Sequence, residues 1–316
     1  MKHSNETIQQ ILNLHEQGLS SRSISDIVFG RKSAKSTVND IINRYKGERE
    51  WEDLPVKPKV LFLDLEVQGS LNISFPRFKA FISPDAVIEE PYLLTAAWNW
   101  LGDDEIVCKG LNDYPLFRDE KRNDISLVEE LWELLDHADV VIAHNASFDV
   151  GWLNNRFAYH YLPPPSPYKV VCTLKALKKH FKLPSNSLDA STKYFEVSKK
   201  QKHEGISLWV DCFKGDEDAF RKMKRYNIGD IPTLKDLYMR IRAFITNHPN
   251  ISLMGDDPSV CGTCGEGKMV EVLGKYAYTN LSKFKTYRCD CCGTIKRNRV
   301  NQRAKEDMQQ TLMNVV

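Results

Sequence analysis

Two acidic residues, Asp64 and Glu66, interrupt an apolar run of the sequence, Val60–Val67 (VLFLDLEV). That run predicts a buried β-strand, and because side chains alternate across a strand, residues two apart project from the same face. Two neighbouring carboxylates on a buried strand repel each other and lose hydration unless a divalent cation lies between them. The alternative is that the strand ends at Leu63 and that both acids are solvated loop residues. The pair alone leaves both interpretations open.

A third carboxylate, Asp149, follows a second apolar run. Val140–Ala143 predicts a strand that leads through His144 and Asn145 into a helix opening near Ser147. Asp149 therefore falls just inside that helix. An aspartate in the first turn of a helix is also favoured by the helix dipole, so its position has an ordinary structural explanation as well.

The fourth carboxylate, Asp230, lies four residues after Tyr226 in a segment predicted to be helical. This spacing places the phenol and the carboxylate on one helix face, one turn apart. A tyrosine and an aspartate four residues apart are common on helices, so this pair indicates a functional site only in combination with the other three carboxylates. Hydrolysis of a phosphodiester by two metal ions needs several oxygen ligands converging on ions about 3.5–4 Å apart. A strand pair, a helix start and a late helix at one sheet edge could supply them.

In this order, the three segments resemble the motifs of the DnaQ-like exonucleases of the DEDD superfamily. They read Asp-x-Glu on the first strand, His-Asn-x-x-x-Asp in a strand-to-helix turn, and Tyr-x-x-x-Asp on a late helix. The tyrosine in the third motif is typical of the DEDDy branch, which this sequence therefore resembles. The resemblance covers roughly residues 59–245 and implies an α/β, RNase H-like fold: a mixed five-stranded sheet of order 3-2-1-4-5 with flanking helices. One departure is Val67, where many relatives carry threonine.

The resemblance also implies a 3′→5′ exonuclease that releases nucleoside 5′-monophosphates. Tyr226 is then expected to orient the attacking water, since a phenol with a pKa near 10 is a poor base at neutral pH. His144 and Asn145 match positions that shape the turn and are expected to support the site. The ligands expected for two Mg²⁺ or Mn²⁺ ions are Asp64, Glu66, Asp149 and Asp230.

Five of the eight cysteines crowd into the C-terminal segment. Cys261 and Cys264 form one Cys-x-x-Cys pair, and Cys289 and Cys292 form another. A glycine follows each pair and permits the tight turn that aims both sulfurs at one ion. Four thiolates predict a closed, tetrahedral, structural zinc site. Cys291 is the surplus thiol, because the x-x spacing favours Cys289 and Cys292.

The cysteine-containing segment resembles a zinc ribbon. Its basic and aromatic residues predict contacts with phosphates and bases. A ribbon that docks a protein partner is the alternative. The residues expected to contact nucleic acid here are Lys283, Lys285 and Arg288.

Near the N-terminus, three short helical patterns resemble a helix-turn-helix module. Ser33 is expected to cap the third helix, which would be the recognition helix. A module for helical packing or dimerisation is the alternative. The residues expected to face nucleic acid are Lys35, Ser36, Asn39 and Asn43.

Proline, glycine and charge-rich stretches predict where the chain divides. The predicted parts are a helix-turn-helix (1–47), a linker (48–58), the exonuclease core (59–248), a second linker (249–257), the zinc ribbon (258–300) and a tail (301–316). Further elements predicted in the core and tail are strands at Phe75–Ile82, Tyr92–Trp100 and Glu105–Lys109, a helix at Ile125–His137 and a helical tail at Asn301–Asn314.

The composition, 42% hydrophobic and 27% charged with a net charge of +2, is typical of a soluble globular protein. No apolar run approaches the roughly 20 residues of a membrane span, and the N-terminus lacks the apolar region of a secretory signal. A cytoplasmic protein without membrane contact is therefore expected.

Nucleic acid is the expected partner, and the helix-turn-helix favours DNA over RNA. Three lysines are expected to guide a strand toward the metals: Lys175, Lys178 and Lys179. Two alternatives remain open, a DDE-type transposase or integrase and a non-catalytic DNA-binding regulator. The early Asp-x-Glu pair and the late Tyr-x-x-x-Asp argue against the first, and the presence of all four carboxylates argues against the second.

Overall fold

A computed structural model gives the architecture of the chain, which divides into two compact units, Met1–Leu54 and Pro55–Val316. The predicted linker at 48–58 falls largely outside the described residues. The residues that the structure describes are 5–45, 57–76, 78, 80–197, 205–255 and 257–312.

Helices make up the described part of the first unit: α1 (Asn5–Glu16), α2 (Ser21–Phe29) and α3 (Lys35–Tyr45). The hydroxyl of Ser20 caps α2 by accepting a hydrogen bond from the Ser23 amide. The helix ends at Gly30, whose φ of 65° is in the left-handed region that favours glycine. Buried aliphatic side chains from all three helices form the core: Ile11, Ile24, Val38, Ile41 and Ile42.

The predicted cap of the third helix is wrong. Ser33 lies inside a 3₁₀ turn, Lys32–Ala34, and α3 begins after it. Lys35, Ser36 and Asn39 are half-buried, and the side chain of Asn43 lies outside the described residues. DNA binding by this unit stays a prediction.

The elements of the second unit follow in chain order. They are β1 (Val60–Gln68), β2 (Leu71–Asn72), β3 (Val87–Glu89), β4 (Tyr92–Trp100), β5 (Val107–Gly110), α4 (Ile125–Asp136), β6 (Val140–Ala143), α5 (Ala146–Tyr159), β7 (Lys169–Cys172), α6 (Thr173–His180), α7 (Leu188–Tyr194), α8 (Ser207–Lys214), α9 (Glu217–Ile241), β8 (Met269–Tyr278), β9 (Lys283–Cys289), β10 (Ile295–Asn301) and α10 (Lys305–Gln309).

The main sheet of the described residues has the order β5-β4-β1-β6-β7. β1 is antiparallel to β4 and parallel to β6, and β6 is parallel to β7. When only the strands of this sheet are numbered along the chain, the order is 3-2-1-4-5. The predicted fold class, a mixed five-stranded RNase H-like sheet with flanking helices, is confirmed. β1 lies at the centre and is covered on both faces, which explains its apolar sequence.

The side chains of β1 alternate between two cores. Leu61, Leu63 and Leu65 pack into the core that α4 and α5 cover. Val60 and Phe62 pack into the core of α9, where the Phe62 ring meets Tyr238 edge-on. Asp64 and Glu66 continue this even-numbered face.

Three elements differ from the prediction. Phe75–Ile82 contains no strand among its described residues, because Pro76 cannot donate a ladder hydrogen bond; the short hairpin β2–β3 flanks it instead. The fifth strand of the expected sheet, which no sequence pattern located, is β7, a short edge strand. In the tail, the helix is confined to Lys305–Gln309.

β8, β9 and β10 form an antiparallel sheet that carries the cysteine turns. In the part of the chain that the structure describes, no helix has the length and apolar character needed to cross a membrane.

A buried ion network fixes α5 against the sheet. The Asp124 carboxylate is fully buried and accepts hydrogen bonds from the Leu93 amide (2.9 Å) and from Arg156 Nε (2.8 Å) and Nη2 (2.6 Å). His160 Nε2 lies 2.7 Å from Asp124 Oδ1. The network joins the start of α4, strand β4 and the C-terminal half of α5.

Replacing Asp124 by Asn should lower the free energy of unfolding by about 3–5 kcal/mol, because it leaves the buried Arg156 charge without its partner. Urea unfolding measures this difference. Asp189→Asn, in the exposed pair with Lys193, is the control and should cost less than about 1 kcal/mol. Equal losses in the two variants would contradict a structural role for the network.

Candidate functional site

The structure brings together three of the four predicted carboxylates. Carboxylate oxygens of Asp64, Glu66 and Asp230 all lie within 4.8 Å of one another. The first two share a face of β1, and α9 packs across that face and supplies the third. A change of register between β1 and β4 follows Glu66, and such bulges often re-aim side chains beside functional sites.

These oxygen donors fit a divalent cation. Three carboxylates at this spacing repel one another strongly, and Asp230 is almost fully buried. Hard oxygen ligands are what Mg²⁺ and Mn²⁺ prefer, and bound cations would offset the repulsion. The cluster can therefore hold metal with the donor set that its chemistry demands.

Asp149 lies beside this cluster without joining it. It is buried in the first turn of α5, and its Oδ1 accepts a hydrogen bond from the Leu65 amide at 3.3 Å. Leu65 stands between the two acids of β1, so Asp149 is next to the same stretch of strand. Burial raises the pKa of Asp149 to about 7, although hydrogen bonds from its own amide and from Leu65 act in the opposite direction.

The backbone conformation of the turn before Asp149 explains why an asparagine occupies position 145. Asn145 adopts a left-handed conformation (φ 68°, ψ 42°) directly before α5, and asparagine tolerates this region better than most residues. His144 Nδ1 lies 2.9 Å from the Thr173 hydroxyl, which in turn donates to the Ala143 carbonyl. His144 thus ties the end of β6 to the start of α6 and acts on the shape of the turn.

Asn227 is a site residue that sequence reasoning missed. Its side-chain amide donates to Asp64 Oδ2 at 2.7 Å and to the Asp64 carbonyl at 3.2 Å. Its own Oδ1 accepts from the Thr95 hydroxyl on β4 at 3.0 Å. Asn227 is fully buried, so it holds Asp64 in one orientation. The one available signal was its position on the helix face of Asp230, three residues away.

Tyr226 is half-buried on α9, one turn before Asp230, and packs against the core that includes Leu65. The three predicted lysines on α6 are all exposed. Lys175 and Lys179 line a cavity of about 360 Å³ between α6 and the start of α5, and Lys179 Nζ contacts the Thr246 hydroxyl at 3.3 Å. Lys178 is not part of this lining.

The structure also gathers four of the C-terminal thiols: Cys261, Cys264, Cys289 and Cys292. Two of the sulfur–sulfur distances are 3.8 Å and 3.7 Å. A tetrahedral site with Zn–S bonds of about 2.3 Å has sulfurs about 3.8 Å apart, so the spacing fits zinc. Although burial opposes ionisation, hydrogen bonds from the Gly267 and Glu266 amides help lower the pKa of Cys264 to about 7. Cys291 is exposed.

The predicted contacts of the ribbon differ in availability. Lys283 Nζ lies 3.8 Å from the centre of the Tyr276 ring, and Lys285 pairs with Glu271 at 3.0 Å. Arg288 is exposed on β9. Lys285 is therefore already engaged within the ribbon, and a phosphate would have to compete with Glu271.

The ribbon is attached to the end of α9. The Ile251 amide donates to the Gly262 carbonyl at 3.0 Å, and the Thr294 hydroxyl donates to the Ala243 carbonyl at 3.3 Å. Between these contacts, His248 Nε2 lies 2.9 Å from the Tyr238 hydroxyl, and burial lowers the pKa of His248 to about 4. The cysteine-bearing segment is therefore attached to the chain just after the helix that carries Asp230.

Residues 115–207 match the sequence profile of a family described as Exonuclease, RNase_T. The matched segment contains the turn that leads to Asp149, whereas the two acids of β1 and Asp230 lie outside it. The match supports a nuclease that acts on nucleic acid.

Among solved structures, the chain is similar to the family B DNA polymerase from the hyperthermophilic archaeon Pyrobaculum calidifontis, with 16% identity and a TM-score of 0.44. The alignment covers 61% of this chain and 26% of the polymerase, so the matched part is about a quarter of that protein's length. Among curated proteins, none matches this chain significantly.

Asn227→Ala should reduce nuclease activity about 10–100-fold and raise the Mg²⁺ or Mn²⁺ concentration needed for half-maximal rate, because Asp64 loses its orienting donor. Metal titrations of the rate, together with the melting temperature, measure both effects. Thr95→Val removes only the more distant hydrogen bond and should have a smaller effect. An Asn227→Ala enzyme with unchanged metal dependence would contradict this role.

The purified chain should contain one zinc ion, and Cys264→Ser should lose it and melt at a lower temperature, since a structural site contributes to folding. Elemental analysis and thermal unfolding measure these changes. Cys291→Ser is the matched control and should keep both the zinc and the melting temperature. If Cys291→Ser lost the zinc and Cys264→Ser kept it, the zinc ligands would be assigned wrongly.

Proposed function

We propose that this chain is a metal-dependent exonuclease that shortens nucleic acid from the 3′ end and releases nucleoside 5′-monophosphates. One observation supports it above the others: oxygens of Asp64, Glu66 and Asp230 converge within 4.8 Å from segments far apart in sequence. The exonuclease-family match of residues 115–207 supports the same reaction class.

Asp64, Glu66, Asp149 and Asp230 would hold two Mg²⁺ or Mn²⁺ ions. When bound, such ions supply Lewis-acid stabilisation of the charge on the phosphodiester and make a water nucleophile available near neutral pH. Asn227 keeps the Asp64 carboxylate turned toward its partners. The Leu65 amide holds Asp149 next to β1. The Asp149 carboxylate would therefore need only a small movement to reach the cluster.

Tyr226 is assigned to orienting the water by a hydrogen bond from or to its phenol. It does not act as the base, because its ordinary pKa near 10 leaves it protonated at pH 7. The water oxygen forms a bond to phosphorus while the bond from phosphorus to the 3′-oxygen breaks. The water proton that is lost balances the proton gained by the 3′-oxygen, so the products are a 5′-monophosphate and a shortened strand with a 3′-hydroxyl.

DNA is the proposed substrate ahead of RNA, on the strength of the helical N-terminal unit. The lysines of α6 and the basic residues of the ribbon would contact the backbone of the strand. The zinc ribbon would be structural, and contact with a protein partner is its alternative use.

Asp64→Asn should lower the rate of mononucleotide release by about 10³-fold or more, because several kcal/mol of charge stabilisation depend on the metals. The assay uses 5′-labelled single-stranded DNA and RNA of one sequence with Mg²⁺ or Mn²⁺. Removal from the 3′ end gives a descending ladder of labelled strands, whereas removal from the 5′ end releases the label at once.

Asp189→Asn, an exposed acid of α7 away from the cluster, is the control and should keep full activity. Absence of release from either substrate by the wild-type chain would overturn the proposal. Metal-dependent strand joining would indicate a transposase-type enzyme, and duplex binding without cleavage would indicate a regulator.

A further inference from the structure

A second cavity, of about 1470 Å³, lies at the C-terminal end of α5. Three parts of the chain line it: the segment Arg118–Asn123 before α4, the segment Arg156–Tyr161 at the end of α5, and Phe213 with Lys214 at the end of α8. None of its lining residues belongs to the carboxylate cluster or to the cysteine site.

The cationic side chains of this cavity differ in how they are paired. Arg156 is held by buried Asp124, Arg122 pairs with Glu89, and Lys214 pairs with Asp211. Among the described residues, Arg118 and Lys121 have no carboxylate within ion-pairing distance, and both are exposed. Asp119 and Glu120 also lie in the lining, so Arg118 and Lys121 offer individual cationic contacts in a wall of mixed charge.

Three aromatic side chains, Tyr159, Tyr161 and Phe213, also line the cavity. Tyr159 is 62% exposed and Tyr161 is 96% exposed. Arg156 covers one face of the Tyr159 ring at 4.2 Å, and Arg122 lies 4.5 Å from the centre of the Phe213 ring. The exposed Tyr161 ring and the unpaired cations Arg118 and Lys121 line the same cavity, and aromatic rings combined with cations bind single-stranded nucleic acid through base stacking and phosphate contacts.

Tyr161 has a backbone conformation that disfavours its side chain. Its φ is 58°, in the left-handed region, and its amide and that of Leu162 close α5 on the carbonyls of Ala158 and Phe157. Glycine is the usual residue at such a helix end. Since the Tyr161 ring is almost fully exposed, burial does not offset the strain. A strained residue without a packing reason points to a function for its ring.

One element, α5, runs from the carboxylate site to this cavity. Asp149 and Tyr159 lie ten residues apart on α5, which corresponds to about 15 Å along the helix. At about 3.4 Å per stacked nucleotide, Tyr159 is roughly four nucleotides away from Asp149.

We propose that this cavity binds the single strand upstream of the scissile bond, with Tyr161 stacking on a base and with Arg118 and Lys121 contacting phosphates. The assignment rests on the proposed exonuclease function and specifies its substrate: a single strand long enough to span from the carboxylates to Tyr161. Shorter oligonucleotides occupy the carboxylate cluster alone.

The test compares a ten-nucleotide strand with a dinucleotide as substrates of Tyr161→Gly. The ratio of kcat/KM for the ten-nucleotide strand to that for the dinucleotide should fall about 10-fold, because one base loses its stacking partner. The thermal midpoint of the same variant should rise, since glycine relieves the left-handed strain. A residue of purely structural importance would not combine a more stable fold with a selective loss on the longer substrate.

Glu196→Gly is the matched control. Glu196 also has a left-handed φ, 54°, at the end of α7 and outside the cavity. Its variant should gain stability in the same way and keep the wild-type ratio between the two substrates. Arg118→Ala combined with Lys121→Ala should reduce the dependence of the ten-nucleotide affinity on salt, with a slope smaller by about one to two.

Binding of a labelled ten-nucleotide strand to Asp64→Asn, followed by fluorescence anisotropy, separates this proposal from the catalytic one. Tyr161→Gly added to Asp64→Asn should weaken that binding about 10-fold, whether or not the wild-type chain cleaves the strand. Unchanged binding, or an equal loss on both substrate lengths, would overturn the assignment of the cavity. Failure of cleavage alone, with binding still dependent on Tyr161, would overturn the exonuclease proposal instead.

Discussion

Three carboxylates, two on the strand at the centre of the sheet and one on the helix that packs across it, approach within 4.8 Å of one another. Each charge costs free energy there through lost hydration, and each adds repulsion to the other two. The surrounding fold must hold these groups in place against that repulsion. The second unit is built around this requirement: β1 supplies two of the acids, α9 supplies the third, and α5 brings Asp149 alongside.

Hydrogen bonds between buried polar side chains, in addition to the apolar cores, hold the carboxylates in place. Asn227 bridges Asp64 to Thr95, so one amide couples α9, β1 and β4. Asp124 and Arg156 fasten the other end of α5 to β4. The two networks fix both helices that carry carboxylates, which explains how a site with so much like charge keeps its geometry. The ribbon adds a further attachment at the end of α9.

Local patterns in the sequence were enough for the three central strands β4, β1 and β6 and for the strand-to-helix turn before Asp149. The apolar runs of β1, β4 and β6 have boundaries close to those predicted, because central strands leave little choice of residue. Asn227 could not be found in this way: its partners lie 163 and 132 residues away, and no local spacing reports them. The same holds for Asp124 with Arg156. The left-handed conformation of Tyr161 was not predicted, because a helix end of this kind is recognised in a sequence by its glycine.

The false strand at Phe75–Ile82 shows the opposite error. Alternation of aromatic and polar residues resembles a half-buried strand, but Pro76 cannot donate a hydrogen bond to a neighbouring strand. β7 was missed because four residues are too few to separate a strand from a helix start by periodicity.

The alternation of β1 between its two cores also limits how this chain can change in length. Inserting one residue between Phe62 and Leu63 would turn Leu63 toward α9 and both acids into the apolar core of α4 and α5. Lengthening the loop between β2 and β3 moves no carboxylate. Descendants of this sequence can therefore differ in size around that loop, whereas the distance from the start of β1 to Asp64 is fixed by the pleat of the strand.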